Sequence, residues 1–500
     1  MVHYSWVKII LVSVGEGKME HSTPLIQAIR EHINQHSHSL HVPGHKNGQI
    51  FLSDLQADFK SVLPYDVTEL TGLDDLHAPT GPIAKAQQKA ADYYQMGETH
   101  FLVGGSTVGN IAMIYGLFER GDQILLQRNS HKSLFHACEI AGVRPILMTP
   151  EFDINTGQYV GVTAELIQHA VERFPQVKGV ILTYPNYFGV SVDIRAVIEE
   201  AKKFRLTVLV DEAHGAHFSV SKQLPPSSCE LGADVVVQSA HKMLPALTMS
   251  SFLHISKHLP RRKAHRIKEA LTMFQSSSPS YLLLASLDGA REFAECVTEE
   301  QMTEIVAGIE AWKRELSTIK QIEVIEWDNQ SYQSDPLKVT IRSRTKLSGF
   351  QLQDIMMECG LYPELATDTD VLLVFGLTPL SVGASAIGRL KEKLASYSVI
   401  AHTKPFHLPV WMPETKLTEM VLDRQNEQLL QKRIPLKEAC GYISLESVIP
   451  YPPGIPVLVR GEVIQQGTID YIQQLKEAGA RFQGNEQAVD VLVVDSEEIK

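Results

Sequence analysis

Residues 206–242 read LTVLVDEAHGAHFSVSKQLPPSSCELGADVVVQSAHK, and this stretch decides the fold. It holds two apolar runs, 206–210 and 234–238, and each is followed at once by polar side chains. Both runs are apolar on consecutive residues, as strands covered on both faces need to be. The chain between them is long enough for one crossover helix, so the two runs are predicted to be neighbouring parallel strands.

The same alternation extends on both sides of this stretch. From about residue 85 to 255, helical patterns alternate with further short apolar runs at 123–127, 144–148, 178–183 and 251–255. Such alternation is typical of βαβ units that build a mostly parallel sheet with helices on both faces. In sheets of this kind, functional side chains collect at the carboxyl ends of the strands.

The flanking sequence predicts an arm and two smaller domains. We divide the chain into an extension (1–18) without predicted structure, an N-terminal arm (19–84), a large domain (85–299), a small α/β domain (300–400) and a C-terminal domain (401–500). Ser22-Thr23-Pro24 predicts the start of a helix, and residues 300–316 predict another. Residues 457–464 (VLVRGEVI) resemble a strand after a Pro-Gly turn. The extension suggests that the functional chain starts near Met19.

Composition narrows the class of protein. The 500 residues include 46 Lys and Arg and 58 Asp and Glu, a formal net charge of −12 without a basic cluster, which argues against a nucleic-acid partner. Five widely spaced cysteines form no metal-ligand pattern, so we predict no metal site and a reducing, cytoplasmic location. The apolar run at 6–14 is too short to span a membrane.

Two motifs, one that opens a predicted helix and one that ends a predicted strand, suggest phosphate binding and an aromatic cofactor. Residues 104–110 (GGSTVGN) run into a helical pattern, so the free amides of a helix N-terminus and the hydroxyls of Ser106 and Thr107 can cradle a phosphate. Alone, this motif equally fits a turn with a serine N-cap. Asp211 ends an apolar strand, where a carboxylate can keep a pyridine nitrogen protonated, although an N-cap is the commoner use of such a residue.

A lysine, a serine and three histidines complete this pattern. Lys242 directly follows a buried strand, where an ammonium is costly unless it is paired or masked as a Schiff base. Ser239 and His241 flank it and can donate to a phosphate. His131, in NSHKS (129–133), follows another strand and can stack on a cofactor ring. His214 lies close to Asp211. Together these residues predict a pyridoxal 5′-phosphate (PLP) site.

The sequence resembles the Orn/Lys/Arg decarboxylases, in particular the compact bacterial members. The resemblance rests on HVPGHKNG (41–48), TELTGLDDLHAPTGPI (68–83), GGSTVGN (104–110), NSHKS (129–133), DEAHGAH (211–217), SAHKMLPALT (239–248), SSSPSYLLLASLD (276–288) and YPPGIP (451–456). These motifs span nearly the whole chain after residue 19. The resemblance implies the aminotransferase-like fold type I of PLP enzymes.

The resemblance also implies roles for individual residues. Lys242 would be the Schiff-base lysine, Asp211 the partner of the pyridine nitrogen, and His131 the stacking residue, with His214 near the ring. Ser106, Thr107, Ser239 and His241 would surround the phosphate. The family forms dimers or higher oligomers with sites at the subunit interface, so residues 276–278 and the arm can approach the partner's site. The side-chain cation of a basic substrate needs a carboxylate partner, and the candidates are Asp74, Asp75 and Glu446.

Three functions stay open on this evidence. The first is PLP-dependent decarboxylation of arginine, lysine or ornithine, which yields a polyamine precursor. The second is an aminotransferase or another PLP lyase on the same fold, because the cofactor motifs do not select the bond that breaks. An aminotransferase needs an arginine for the substrate carboxylate, and Arg342, Arg344 and Arg389 are candidates. The third is a non-catalytic regulatory or binding subunit.

Overall fold

The computed structural model describes residues 23–35, 38–328, 331–380, 384–400, 415–420, 431–450, 454–477, 479–483 and 490–494. The predicted extension, 1–18, lies outside these residues. The arm contains α1 (Pro24–Asn34), α2 (Ser53–Phe59) and α3 (Pro82–Tyr93). Pro24 occupies the first turn of α1 as predicted, because its missing N–H costs nothing there. Thr23 precedes it without a side-chain cap.

The large domain follows the arm with alternating strands and helices. Its elements in chain order are β1 (Glu98–Leu102), α4 (Gly105–Leu117), β2 (Gln123–Gln127), α5 (Lys132–Ala141), β3 (Arg144–Met148), β4 (Phe152–Asp153), β5 (Gln158–Tyr159), α6 (Ala164–Arg173), β6 (Gly179–Thr183), β7 (Val190–Ser191), α7 (Ile194–Lys203), β8 (Thr207–Asp211), β9 (Val235–Gln238), α8 (Ala240–Met243), β10 (Ser251–Ile255), α9 (Arg261–Phe274) and α10 (Tyr281–Cys296). All six predicted strands form to within one residue. β1 had not been predicted.

In the small domain and the C-terminal part, the strands of each sheet pair antiparallel. The small domain has α11 (Glu299–Leu316), β11 (Ile322–Val324), β12 (Gln333–Ser334), β13 (Lys338–Ser343), α12 (Gly349–Glu358), β14 (Leu365–Ala366), β15 (Asp370–Val374) and α13 (Ala384–Leu394). The C-terminal part has β16 (Leu417–Glu419), β17 (Lys432–Pro435), β18 (Ile443–Ser444), β19 (Ile449–Pro450), α14 (Gln466–Glu477), β20 (Phe482–Gln483) and β21 (Asp490–Val494).

The central sheet has the strand order β1-β10-β9-β8-β6-β2-β3-β16. The five strands from β9 to β3 are parallel to one another, which confirms the mostly parallel α/β fold. β10 is antiparallel to β9, so the prediction that 251–255 continues the βαβ series was wrong. The reason is length: the connection from β9 to β10 contains only the four-residue helix α8, too short for a crossover.

Two further sequence predictions need correction. The chain between β8 and β9 contains no α-helix, only a one-turn 3-10 helix at Phe218–Val220, although the two strands are parallel neighbours as predicted. Residues 457–464 do not form a strand. They make isolated bridges at Leu458 and Val463 around a turn at Gly461, whose φ of +92° favours glycine.

Apolar side chains cover the central sheet on both faces. On β8, Val208 and Val210 pack into one core cluster, whereas Leu209 between them packs into the other. All five residues of β8 are buried. This arrangement explains the unbroken apolar runs of the sequence, since a two-sided sheet has no polar face. Among the described residues, no helix is both long enough and apolar enough to cross a bilayer.

Candidate active site

A cavity lies at the carboxyl ends of β6, β8 and β9, the edge that the sequence predicts. Its lining residues are Ser106, His131, Thr183, Pro185, Tyr187, Asp211, Ala213, His214 and Lys242. Five of the predicted site residues, from four separate motifs, therefore meet in one place. The parallel order of the strands causes this convergence, because it places all of their carboxyl ends at one edge of the sheet.

Lys242 projects into this cavity from α8, the short helix that follows β9. Its Nζ lies 3.0 Å from Nε2 of His214. The side chain keeps accessible surface toward the cavity but is otherwise closely surrounded by protein. Burial lowers the pKa of Lys242, and the charges of Asp211 and Glu364 only partly oppose this. The amine is thus accessible and biased toward its neutral, nucleophilic form.

Asp211 is held rigidly at the end of β8. One carboxylate oxygen accepts a hydrogen bond from Nδ2 of Asn110 at 2.9 Å, and the other accepts one from the Ala213 amide at 3.1 Å. Burial raises the pKa of Asp211, against the hydrogen bond from Asn110 and the charge of Lys242. No Lys, Arg or His in the described ranges forms an ion pair with it. A protonated heterocyclic nitrogen would supply the missing cation.

The two histidines of the cavity are neutral near pH 7. Burial, followed by the charge of Lys242, lowers the pKa of His131 to about 4 and moves that of His214 well below its usual range. His131 precedes α5, and its Nδ1 accepts a hydrogen bond from the Ser133 amide at 3.3 Å. The ring of His214 packs against the ring of Tyr187, with centroids 4.6 Å apart.

The predicted phosphate cradle is brought only partly to the cavity. Ser106 lines it from the first turn of α4, a helix that begins without a side-chain cap. The first amide of this helix, that of Gly105, donates to the Met249 carbonyl at 3.0 Å, so a phosphate would be left the amides that follow it. Thr107 is exposed and lies off the cavity wall. Ser239 is buried, and its hydroxyl has no hydrogen-bond partner in the described part of the chain. Nδ1 of His241 lies 3.0 Å from the Ser250 carbonyl oxygen.

The three candidate substrate carboxylates do not line the cavity within one described chain. Asp74 accepts backbone hydrogen bonds from four residues at the start of α3: Thr80, Gly81, Ile83 and Ala84. Burial opposes its ionisation, but these bonds outweigh burial and lower its pKa. Asp75 is exposed and accepts from the His77 amide at 2.8 Å. Glu446 pairs with Arg433 at 3.0 Å. Asp74 and Glu446 thus have structural partners.

The three arginines considered for an aminotransferase lie outside this cavity. Arg342 forms a buried ion pair with Asp370 at 2.5 Å. Arg389 donates to the Cys359 carbonyl at 2.7 Å, and Arg344 is exposed. Within one chain, none of them is placed to bind a substrate carboxylate next to Lys242.

Sequence reasoning missed Asn110, Thr183 and Tyr187. Asn110 lies in the GGSTVGN motif, which was already a candidate for the site, and Thr183 ends a predicted strand, where functional side chains collect. Tyr187 follows β6 in a loop, where no local pattern marks it. The Lys338 ammonium, 3.2 Å from the Tyr187 carbonyl oxygen, ties that loop to the small domain.

The residues of the cavity fit PLP. The fit rests on an accessible amine biased toward neutrality, a buried carboxylate that no Lys, Arg or His of the described ranges pairs with, and a helix N-terminus without a side-chain cap. Ser239 lies outside the cavity lining, but its buried hydroxyl has no hydrogen-bond partner in the part of the chain that the structure describes. The amine would hold the aldehyde carbon of the cofactor, and the carboxylate would hold its ring nitrogen. The helix N-terminus and the Ser239 hydroxyl would hold its phosphate.

Comparison with known proteins gives the family. The model of the major domain of Orn/Lys/Arg decarboxylases matches residues 23–330, and that of their C-terminal domain matches 407–499. The chain belongs to the Orn/Lys/Arg decarboxylase family. It is 40% identical over 469 residues to the uncharacterized protein YaaO of Bacillus subtilis, covering 93% of this chain and 96% of that protein. It is 32% identical over 480 residues to the arginine decarboxylase of Bacillus subtilis, covering 94% of this chain and 96% of that protein.

Solved structures of the family share its fold. The E. coli constitutive lysine decarboxylase superposes with a TM-score of 0.75 at 19% identity, over 95% of this chain and 82% of that one. Lysine decarboxylase A from Pseudomonas aeruginosa gives a TM-score of 0.77 at 20% identity, over 94% of this chain and 80% of that one. These likenesses confirm fold type I.

Proposed function

We propose that this chain is a PLP-dependent decarboxylase of a basic amino acid, either arginine, lysine or ornithine. The observation that carries the proposal is the meeting of Lys242, Asp211, His131 and His214 in one cavity of a chain that belongs to this family. Arginine is the first substrate to test, because a relative that is 32% identical over nearly full length is an arginine decarboxylase.

The bound cofactor would supply an electron sink that accepts the electron pair released when the carboxylate leaves as CO2. Lys242 would hold the cofactor as an imine. Asp211, fixed by Asn110 and the Ala213 amide, would keep the ring nitrogen protonated and so deepen the sink. His131 would stack on the ring, and Ser106, with the amides of α4 that follow Gly105, would bind the phosphate. Thr107, Ser239 and His241 remain proposed neighbours of the phosphate.

His214 is suited to orient Lys242. Its Nε2 lies 3.0 Å from the Lys242 Nζ, and burial keeps the ring neutral, so this nitrogen can accept a hydrogen bond from the ammonium. The same lowered pKa makes His214 too weak a base to take the proton from an alkylammonium. Burial lowers the pKa of Lys242 itself, which favours the free amine that would bind the cofactor.

We further propose that the enzyme works in the cytoplasm as a homodimer or higher oligomer with its site at the subunit interface. Asp75 and residues 276–278 are exposed within one chain, and His77 joins the two segments through Nε2, 2.9 Å from the Ser276 carbonyl oxygen. These exposed groups would contribute to the active site of a partner subunit. Asp75 remains the best candidate to bind the side-chain cation of a substrate in that site. The division of the chain into an arm, a large domain, a small domain and a C-terminal domain, with boundaries after residues 84, 299 and 400, also remains a proposal.

The test is product analysis with the purified chain. With PLP and each basic amino acid in turn, we expect release of CO2 and the matching amine, measured by trapped radiolabelled CO2 and by mass spectrometry. A keto acid without CO2 would instead show transamination. A colourless protein that forms neither product with any of the three would favour the non-catalytic alternative.

A further inference from the structure

A second and larger cleft lies beside the catalytic cavity, between the large domain, the small domain and the C-terminal part. We call it the interdomain cleft and define it by the lining residues Phe152, Phe188, Phe350, Asp368 and Tyr471. It encloses about 1470 Å3 with its open mouth included, against about 340 Å3 for the catalytic cavity. Tyr187 borders both spaces, whereas Lys242 and Asp211 line only the smaller one.

Most charges on the wall of the interdomain cleft are compensated inside the protein. Arg342 pairs with Asp370, whose second oxygen also accepts from Nε2 of Gln158 at 2.9 Å. Arg128 pairs with Glu462 at 2.8 Å and donates to two backbone carbonyls. These groups hold the three parts of the chain together and are not free to bind a ligand.

Asp368 is the exception among the lining carboxylates. It lies in the turn between β14 and β15, half-buried, and no side chain in the described ranges pairs with it or donates to it. Burial and then the charge of Asp370 raise its pKa to about 6, against the backbone amides of Asp368 and Thr369 and the charge of Arg342. At neutral pH it is therefore an ion, and a half-buried ion without a side-chain partner favours a ligand cation.

The remaining walls are suited to an aliphatic chain. Phe152 and Tyr159 pack edge to face with ring centroids 5.2 Å apart, and Phe188, Phe350 and Tyr471 add further aromatic surface. Burial followed by the charge of Asp368 raises the pKa of Tyr471, so its hydroxyl stays neutral and can donate a hydrogen bond. Aromatic faces attract both methylene groups and cations.

We propose that the interdomain cleft binds a small aliphatic cation, an alkylammonium or alkylguanidinium, with its charge on the carboxylate of Asp368 and its chain along the aromatic walls. This site is separate from Lys242, so the inference goes beyond the proposed reaction. Two ligands share this chemistry, a basic amino acid and the amine formed from it. Arg481 lines the cleft as well and would favour the amino acid by pairing with its carboxylate.

The test is calorimetric titration of the full-length Lys242→Ala variant, which cannot turn the ligand over. The probes are L-arginine, agmatine, cadaverine and uncharged n-pentanol. We expect the cations to bind and Asp368→Asn, in the same background, to weaken that binding about tenfold or more. Asp354→Asn is the matched control, because this exposed aspartate of the same domain lines neither space. Tighter binding of L-arginine than of agmatine would identify the amino acid as the ligand. Tighter binding of agmatine would identify the amine.

Three further measurements keep the outcome clear. Asp368→Glu retains the charge and should retain binding, and thermal unfolding checks that every variant is folded. Binding should also weaken as the pH falls through about 6, because protonated Asp368 no longer attracts a cation. Equal affinities of the Asp368→Asn and Asp354→Asn proteins, or equal binding of n-pentanol, would overturn the inference. Decarboxylation is not the readout, so its failure would leave this result intact.

Discussion

Asp211 and Asn110 form the contact on which the proposed electron sink would depend. The amide of Asn110 donates to the Asp211 carboxylate and is also 2.9 Å from the Ser133 hydroxyl, so three elements fix the acid. The sequence could predict Asp211 and Lys242 because each follows a strand directly. It could not predict Tyr187, because the path of its loop depends on Lys338 and on the Asp335 amide, which donates to the Gly189 carbonyl at 2.8 Å.

We expect Asp211→Asn to lower kcat/KM for decarboxylation by about 100-fold or more, because a neutral amide cannot stabilise a protonated ring nitrogen. The measurement is CO2 release at saturating PLP, with cofactor content determined from absorbance. Asp354→Asn serves as the control for loss of one surface carboxylate. Near-normal turnover by an Asp211→Asn protein with full cofactor content would remove Asp211 from the mechanism.

At the scale of elements, the contact between α4 and the central sheet sets the position of the proposed phosphate site. Gly109 lies where a Cβ would come within 2.7 Å of Leu102 Cδ1 and 3.0 Å of Val237 Cγ1. The absence of a side chain lets α4 pack closely on β1 and β9. The first turn of α4 contributes Ser106 to the cavity that Lys242 also lines. The sequence shows Gly109 but not why a glycine is needed there, because β1, one of the two strands that α4 packs against, had not been predicted.

Gly109→Ala should destabilise the protein. We expect the overpacking cost, about 1–3 kcal/mol, to exceed the gain in helix propensity, about 1 kcal/mol. Gly388→Ala is the matched control, because this exposed glycine of α13 has no atom near the new Cβ and should gain stability. Urea denaturation of both variants gives the comparison. A Gly109→Ala protein as stable as wild type would show that α4 does not pack as described.

At the scale of the whole molecule, the arm exposes an unusual amount of apolar surface. The residues concerned, with their exposed fractions, are Leu40 (94%), Val42 (66%), Ile50 (63%), Leu52 (64%), Leu55 (42%) and Phe59 (43%). Soluble monomers rarely expose so many apolar side chains in one segment. The family resemblance implied an arm that can approach the partner's site, and this exposed apolar surface supports that proposal.

We therefore expect Leu52→Glu to shift the protein toward monomers and to lower activity, because a charge buried in an interface without a partner is costly. Sedimentation velocity at several concentrations measures the change. Tyr362→Glu, at an 80% exposed residue of the small domain, is the control. If Leu52→Glu and wild type sediment alike as oligomers, the arm does not form the interface.

The central claim is that Lys242 carries the cofactor, and chemical trapping tests it most directly. Borohydride reduction of the PLP-loaded protein, followed by digestion and mass spectrometry, locates the lysine to which the cofactor is bound. We predict one phosphopyridoxyl group per chain, on the peptide that contains Lys242. A label on another lysine, such as Lys338, or no label at all would contradict the account.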